Sequence, residues 1–191
     1  MSGFEFFFSF YGLILGLAMA ELLTGFANVA RIGRFRDLGW GTTLLGIEVA
    51  FEILIFWLAA WHNYQKVTPS IGTLTIPFLS GSAYFVAAGI VFPRDDRQIG
   101  DLDAYFMARK GKVATLLLAI WALGIINEGP LIVSAVEAGR WSYLFGYYLP
   151  FNASIVAGYL VLILSQSYRW CCAALMAMIA WFLFVSVAFS Y

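Results

Sequence analysis

LLGIEVAFEILIFWLAAWHNY, residues 44–64, is apolar and long enough to cross a bilayer, yet it carries Glu48 and Glu52 one helical turn apart. About 20 apolar residues, each rising about 1.5 Å along a helix, cover the roughly 30 Å hydrocarbon core of a membrane. The same pattern recurs outward from this stretch, predicting spans at 7–30, 41–62, 71–92, 113–137, 142–165 and 170–190. The chain of 191 residues is 62% hydrophobic and 12% charged, with a mean hydropathy of +0.85. Soluble domains are roughly 45–50% apolar. The expectation is therefore an all-α integral membrane protein with six transmembrane helices, a single domain over residues 1–191 that has the lipid bilayer as its first partner. Lys+Arg and Asp+Glu are equal at 11 each, and no basic tail or aromatic-basic surface points to nucleic acid.

The segment Ala18-Met19-Ala20 imitates a signal-peptidase site, but MSGFEFFF has no basic residue and the apolar run continues past it, so the first helix is expected to be retained. In a six-span arrangement, Arg31, Arg34, Arg36, Arg94, Arg97, Arg109, Lys110, Lys112 and Arg169 fall on one side, against Lys66 and Arg140 on the other. This bias places both termini on the non-cytoplasmic side. The one long loop, residues 94–112, is then cytoplasmic. Asp101 and Asp103 precede Tyr105 and Phe106, and Arg109 and Lys110 follow, which predicts a short interfacial helix there, exposed to a protein partner. Trp40 and Trp141, like Gln65 and Gln166, are separated by 101 residues, which suggests a three-plus-three inverted repeat. Gly12 and Gly16 form a G-x-x-x-G pair, usable as a homo-oligomer contact or for packing within the bundle. Cys171 and Cys172 are adjacent and are expected to be small buried side chains.

The polar residues inside the spans carry the functional expectation. Counted by depth, Glu21, Glu52 and Glu128 share one layer near the midplane with Asn127 and Asn152, while Glu48 lies one turn toward the cytoplasm. Ser80, Ser82, Tyr84, Tyr147 and Tyr148 are candidate hydrogen-bond partners. Glu48, Glu52, Ala59 and His62 follow helical spacing along one face of the second span, with His62 at its outer, interfacial end. Pro130 in INEGP and Pro150 in YYLPFNAS cannot donate backbone hydrogen bonds, so each is a helix breaker that frees a carbonyl oxygen. A charge at the centre of a spanning helix costs roughly 2.5–3.5 kcal/mol, and no Lys or Arg lies within any predicted span to offset it. The acids are then protonated, hydrated in a cavity or bound to a cation.

Other chemistry is thinner. A single histidine excludes a bis-histidine haem within one chain, and nucleotide-cradling and G-x-S-x-G motifs are absent. The aspartates of 94–112 fit no metal-ligand spacing, so neither a metal nor an organic cofactor is expected, and no enzyme. GLILGLAMAELLTGFANVARIGR (12–34), FWLAAW (56–61) and YFVAAGIVFPRDD (84–96) followed by DLDAYF (101–106) together resemble a group of small, uncharacterised bacterial inner-membrane proteins of unknown function. The resemblance covers the first four spans and implies a bacterial cytoplasmic membrane, but it implies no activity. Two functional expectations follow. One is a carrier or channel for protons or a small monovalent cation, which requires a wet cavity with the glutamates turned toward one another. The other is a non-transporting membrane subunit or sensor, whose acids would be bonded separately in a dry bundle.

Overall fold

The computed structural model describes residues 2–32, 39–65, 68, 70–94 and 101–188; Arg34, Arg36, Lys66, Asp95, Asp96 and Arg97 lie outside these residues, as does the side chain of His62. Seven helices occupy the described residues: α1 (Gly3–Ile32), α2 (Trp40–Asn63), α3 (Ile71–Val91), α4 (Leu102–Asn127), α5 (Gly129–Glu137), α6 (Trp141–Leu164) and α7 (Tyr168–Ala188). All except α5 are long and apolar enough to span a membrane. Their outer faces carry exposed Leu13, Leu17, Leu58, Leu164 and Phe184, an apolar exterior that suits hydrocarbon and not water.

Helix α2 is the hub. It packs on α1, α3, α4 and α7, and the Tyr159 side chain reaches it from α6. One face of α2 stays outward, with Leu54, Trp57 and Leu58 exposed, while the face turned to these neighbours carries two acids at 0% exposure, Glu48 and Glu52. Close approach near the arginine-rich end is made by glycine. A Cβ on Gly25 or Gly46 would collide with the Phe92 ring or its stacking partner Phe26, whose centroids are 4.5 Å apart.

Several sequence expectations need correction. The fourth span runs over Leu102–Asn127 rather than 113–137, so most of the expected 94–112 loop helix is the first turns of α4 itself. Asp101 caps this helix, its Oδ1 accepting from the Ala104 amide at 3.0 Å. The cluster Arg109-Lys110-Gly111-Lys112 interrupts the apolar run, but Lys110 is buried at 3% exposure. Its Nζ donates to the carbonyls of Leu162 and Ser165, both at 2.7 Å, satisfying the open end of α6. The early start of α4 puts Pro130 beyond its end. Pro130 stands in the first turn of α5, where its missing N–H costs nothing, and is not a mid-span breaker.

Pro150 does lie inside a continuous span, α6, but the helix passes it by widening rather than breaking. Residues Leu144–Tyr148 form a π-helical turn, and the Leu149 amide bonds back five residues to the Leu144 carbonyl. The halves are also not packed alike. α1 lies extensively on α3, whereas α4 and α7, which the inverted repeat makes equivalent to them, share no comparable packing among the described residues. Gly12 is covered by Trp57 of the same chain, while Gly16 stays open. Cys171 and Cys172 are both free and buried.

Candidate functional site

The four glutamates do not form one layer; they divide among three environments. Glu21 is partly exposed near the basic end of the bundle, and its Oε1 accepts from Arg94 at 2.8 Å. Arg94 lies just past α3, and its long side chain folds back over Gly89 to reach Glu21. Helix periodicity within the spans carried no trace of this pair, because the arginine comes from outside them.

Glu48 and Glu52 form the buried centre. Glu52 accepts from Tyr84 Oη at 3.0 Å, from Trp121 Nε1 at 2.7 Å to each oxygen, and from Tyr159 Oη at 2.6 Å. Three helices, α3, α4 and α6, thus converge on one carboxyl group of α2. All three donors are neutral, and a hydrogen bond to a charged acceptor contributes roughly 1.5–3 kcal/mol, so the set offsets the cost of holding negative charge in the core. Glu48 is served far less well. Its Oε1 takes a long 3.5 Å bond from Tyr159, and its Oε2 is buried without a partner among the described residues. Two carboxylates one turn apart, with no cation beside them in a low-dielectric core, do not both carry charge.

Above Glu52, away from the basic end, lies a cavity of about 340 Å3. Its floor is Trp121, Phe56, Ser80 and Asn152, so the indole that bonds Glu52 also closes the bottom of the cavity. Pro77, buried inside α3, forms part of the wall. On α6, Tyr143 and Leu144, Tyr147 and Tyr148, and Phe151 and Asn152 all line it. These pairs recur every four residues, and a straight α-helix would rotate each by about 40° from the last. The π turn takes up that drift and keeps the pairs on one face.

Glu128, the C-cap of α4, stands in the wall of this cavity with its Oε2 accepting from Tyr148 Oη at 2.8 Å. Next to it, the Asn127 side-chain amide donates to Tyr64 Oη at 2.7 Å. Burial pushes the Tyr64 phenol above its ordinary range, which keeps it neutral. Asn152 is buried at the floor and bonds back to the Tyr148 carbonyl at 2.9 Å. The site therefore brings together Glu48 and Glu52 below and Asn127, Glu128 and Asn152 above, leaving Glu21 apart. Tyr84 and Tyr148 were legible as partners. Trp121 and Tyr159 were not, although both lie well inside long apolar runs, where an aromatic donor has no interface to anchor.

Below the acid pair, the described residues at the basic end are tied together. Tyr168 Oη accepts from the Gly41 amide at 3.0 Å and donates to Asp103 Oδ1 at 2.9 Å. Thr42 Oγ1 donates to the Leu102 carbonyl at 3.0 Å, and Phe106 fills the space over Gly41. Among the described residues no group of three or more His, Cys, Asp or Glu side chains is placed to hold a metal ion. No family model, curated protein or solved structure matches the chain.

Proposed function

We propose that this protein is a carrier or channel for protons or a small monovalent cation, with the Glu48–Glu52 pair as its internal binding point. The observation that carries the reading is a doubly acidic, fully buried site, ligated only by neutral donors and lying directly beneath a largely apolar cavity that holds Glu128, Asn127 and Asn152. With the arginine-rich ends placed in the cytoplasm, both termini are non-cytoplasmic and the cavity faces outward. A proton entering there meets Glu128 first and Glu52 next, with Trp121 between the cavity and the pair. Glu48, whose second oxygen has no partner, is the next acceptor toward the cytoplasm. Glu21, paired with Arg94, has no part in this route. The Tyr168–Asp103–Gly41 contacts at the other end support an alternating-access cycle in which this arrangement is the outward-open form.

The resemblance to small bacterial inner-membrane proteins supports a bacterial cytoplasmic membrane as the location. Self-association through the Gly12/Gly16 face is narrowed to Gly16, because Trp57 covers Gly12. One observation favours the second reading, a non-transporting subunit or sensor: Glu52 is bonded to three helices at once, as a packing determinant would be. On that reading the exposed first turns of α4 are where a protein partner docks.

Reconstitution in liposomes separates the two. A pH jump across vesicles holding a pH-sensitive dye, with K+ and Na+ gradients run alongside, is expected to show flux that is lost in folded Glu52→Gln and reduced in Glu128→Gln. Absence of flux in the folded parent protein would shift the assignment to the subunit reading.

A further inference from the structure

The cavity above Glu52 is more than an entrance for protons. Its walls are unusually aromatic: Phe56, Tyr64, Trp121, Tyr143, Tyr147 and Phe151 all face it. Along α6 the rings form a continuous wall, with Tyr143 and Tyr147 centroids 5.9 Å apart and Tyr147 stacked on Phe151 at 5.9 Å and 15°. Trp121 continues that wall onto the floor, 5.9 Å from Phe151. Among the described residues, Glu128 is the one acid in the lining, and no Lys, Arg or His side chain lines the cavity. Its volume, about 340 Å3, lies at the small end of the roughly 300–1,000 Å3 typical of small-molecule sites.

We propose that this cavity binds an organic ammonium ion, a quaternary or protonated amine with apolar substituents. Aromatic faces carry partial negative charge and attract weakly hydrated cations, and a carboxylate at the rim adds the net charge that balances the ligand. A hydrated metal ion fits poorly, because it needs about six oxygen ligands and the lining offers one carboxylate with a few hydroxyls and amides. An anion would meet Glu128 and, among the described residues, no basic side chain. The ammonium of a lipid headgroup shares the ligand chemistry, but its phosphate would lie next to Glu128 without a cationic partner in the lining, so the assignment is to a free ammonium ion. The proposal concerns the cavity alone and holds whether or not protons pass beneath it.

The test is equilibrium binding of radiolabelled benzyltrimethylammonium to the purified full chain in nanodiscs, with neopentylbenzene, its uncharged carbon isostere, as competitor. Saturable binding is expected that the isostere displaces at least tenfold less well than unlabelled ligand. Glu128→Gln is expected to weaken binding tenfold or more, and Tyr147→Leu severalfold, while Tyr147→Phe and the remote Glu21→Gln leave it within twofold. Glu128→Asp, which keeps the charge, is expected to retain most of the affinity; the melting temperature of each variant establishes that it is folded. Absence of saturable binding, equal competition by the isostere, or unchanged affinity in Glu128→Gln would overturn the proposal. Displacement by dihexanoylphosphatidylcholine as effective as that by the free ammonium would overturn the assignment to a free cation.

Discussion

Glu52 is an acid whose surroundings were assembled from other helices. Because Tyr84, Trp121 and Tyr159 all donate to it, removing one donor both loses a charge-assisted bond and leaves the carboxyl group less compensated in the core. Tyr159→Phe and Trp121→Phe are each expected to destabilise the folded protein by about 1–3 kcal/mol, read as a shift in unfolding midpoint in detergent. Their double mutant is expected to depart from additivity, since both act on one acceptor. Lys110→Met is expected to cost a similar amount, because a buried and a part-buried carbonyl at the end of α6 lose their donor. Glu21→Gln belongs at the other extreme. Arg94 is 78% exposed, and the loss is expected to stay under about 1 kcal/mol. The depth of Glu52 could be counted from its span, and Tyr84 was a visible partner. Trp121 and Tyr159 escaped although their depth within apolar runs sets them apart from interfacial anchors, because the sequence does not say which helix faces converge on Glu52.

At the scale of the element, α4 and α6 show what hydropathy reads well and what it misses. The cationic cluster at 109–112 pushed the expected start of the fourth span inward by eleven residues, from Leu102 to Val113. That displacement moved Glu128 from the helix end, where it lies, to an apparent midplane position. The physical reason is that Lys110 buries its stem and finds carbonyls for its ammonium, which a residue-by-residue hydropathy scale counts only as charge. In α6, Pro150 announced an irregularity but not its kind. With no N–H to offer the Gly146 carbonyl, the chain widened into a π turn instead of kinking. Pro150→Ala restores that N–H and is expected to regularise α6, turning Tyr147 and Tyr148 away from the cavity. A Tyr148→Cys probe checks this: its labelling by a water-soluble maleimide should slow severalfold when Pro150→Ala is added, whereas an unchanged rate would mean that the π turn does not depend on proline.

For the whole molecule, six spans were legible from composition and run length alone, because bilayer thickness sets the length of an apolar helix. The arrangement of the helices around α2 was not, since lipid and protein interiors are equally apolar and hydropathy does not tell them apart. What marked α2 as the hub was its acids, which cannot stand on a lipid-facing side of a helix. The arginine bias predicts the membrane orientation, and fusions test it: a C-terminal alkaline phosphatase fusion is expected to be active and a green fluorescent protein fusion dark, and the reverse pattern would place the cavity on the cytoplasmic side. One further consequence lies at the arginine-rich end. The oxygen of Tyr168 is shared by the beginnings of α2, α4 and α7, through the Gly41 amide and the Asp103 carboxylate. A single phenol atom is thus a common knot for three helix starts, and any motion that opens this end must untie it in one event rather than loosen each helix in turn.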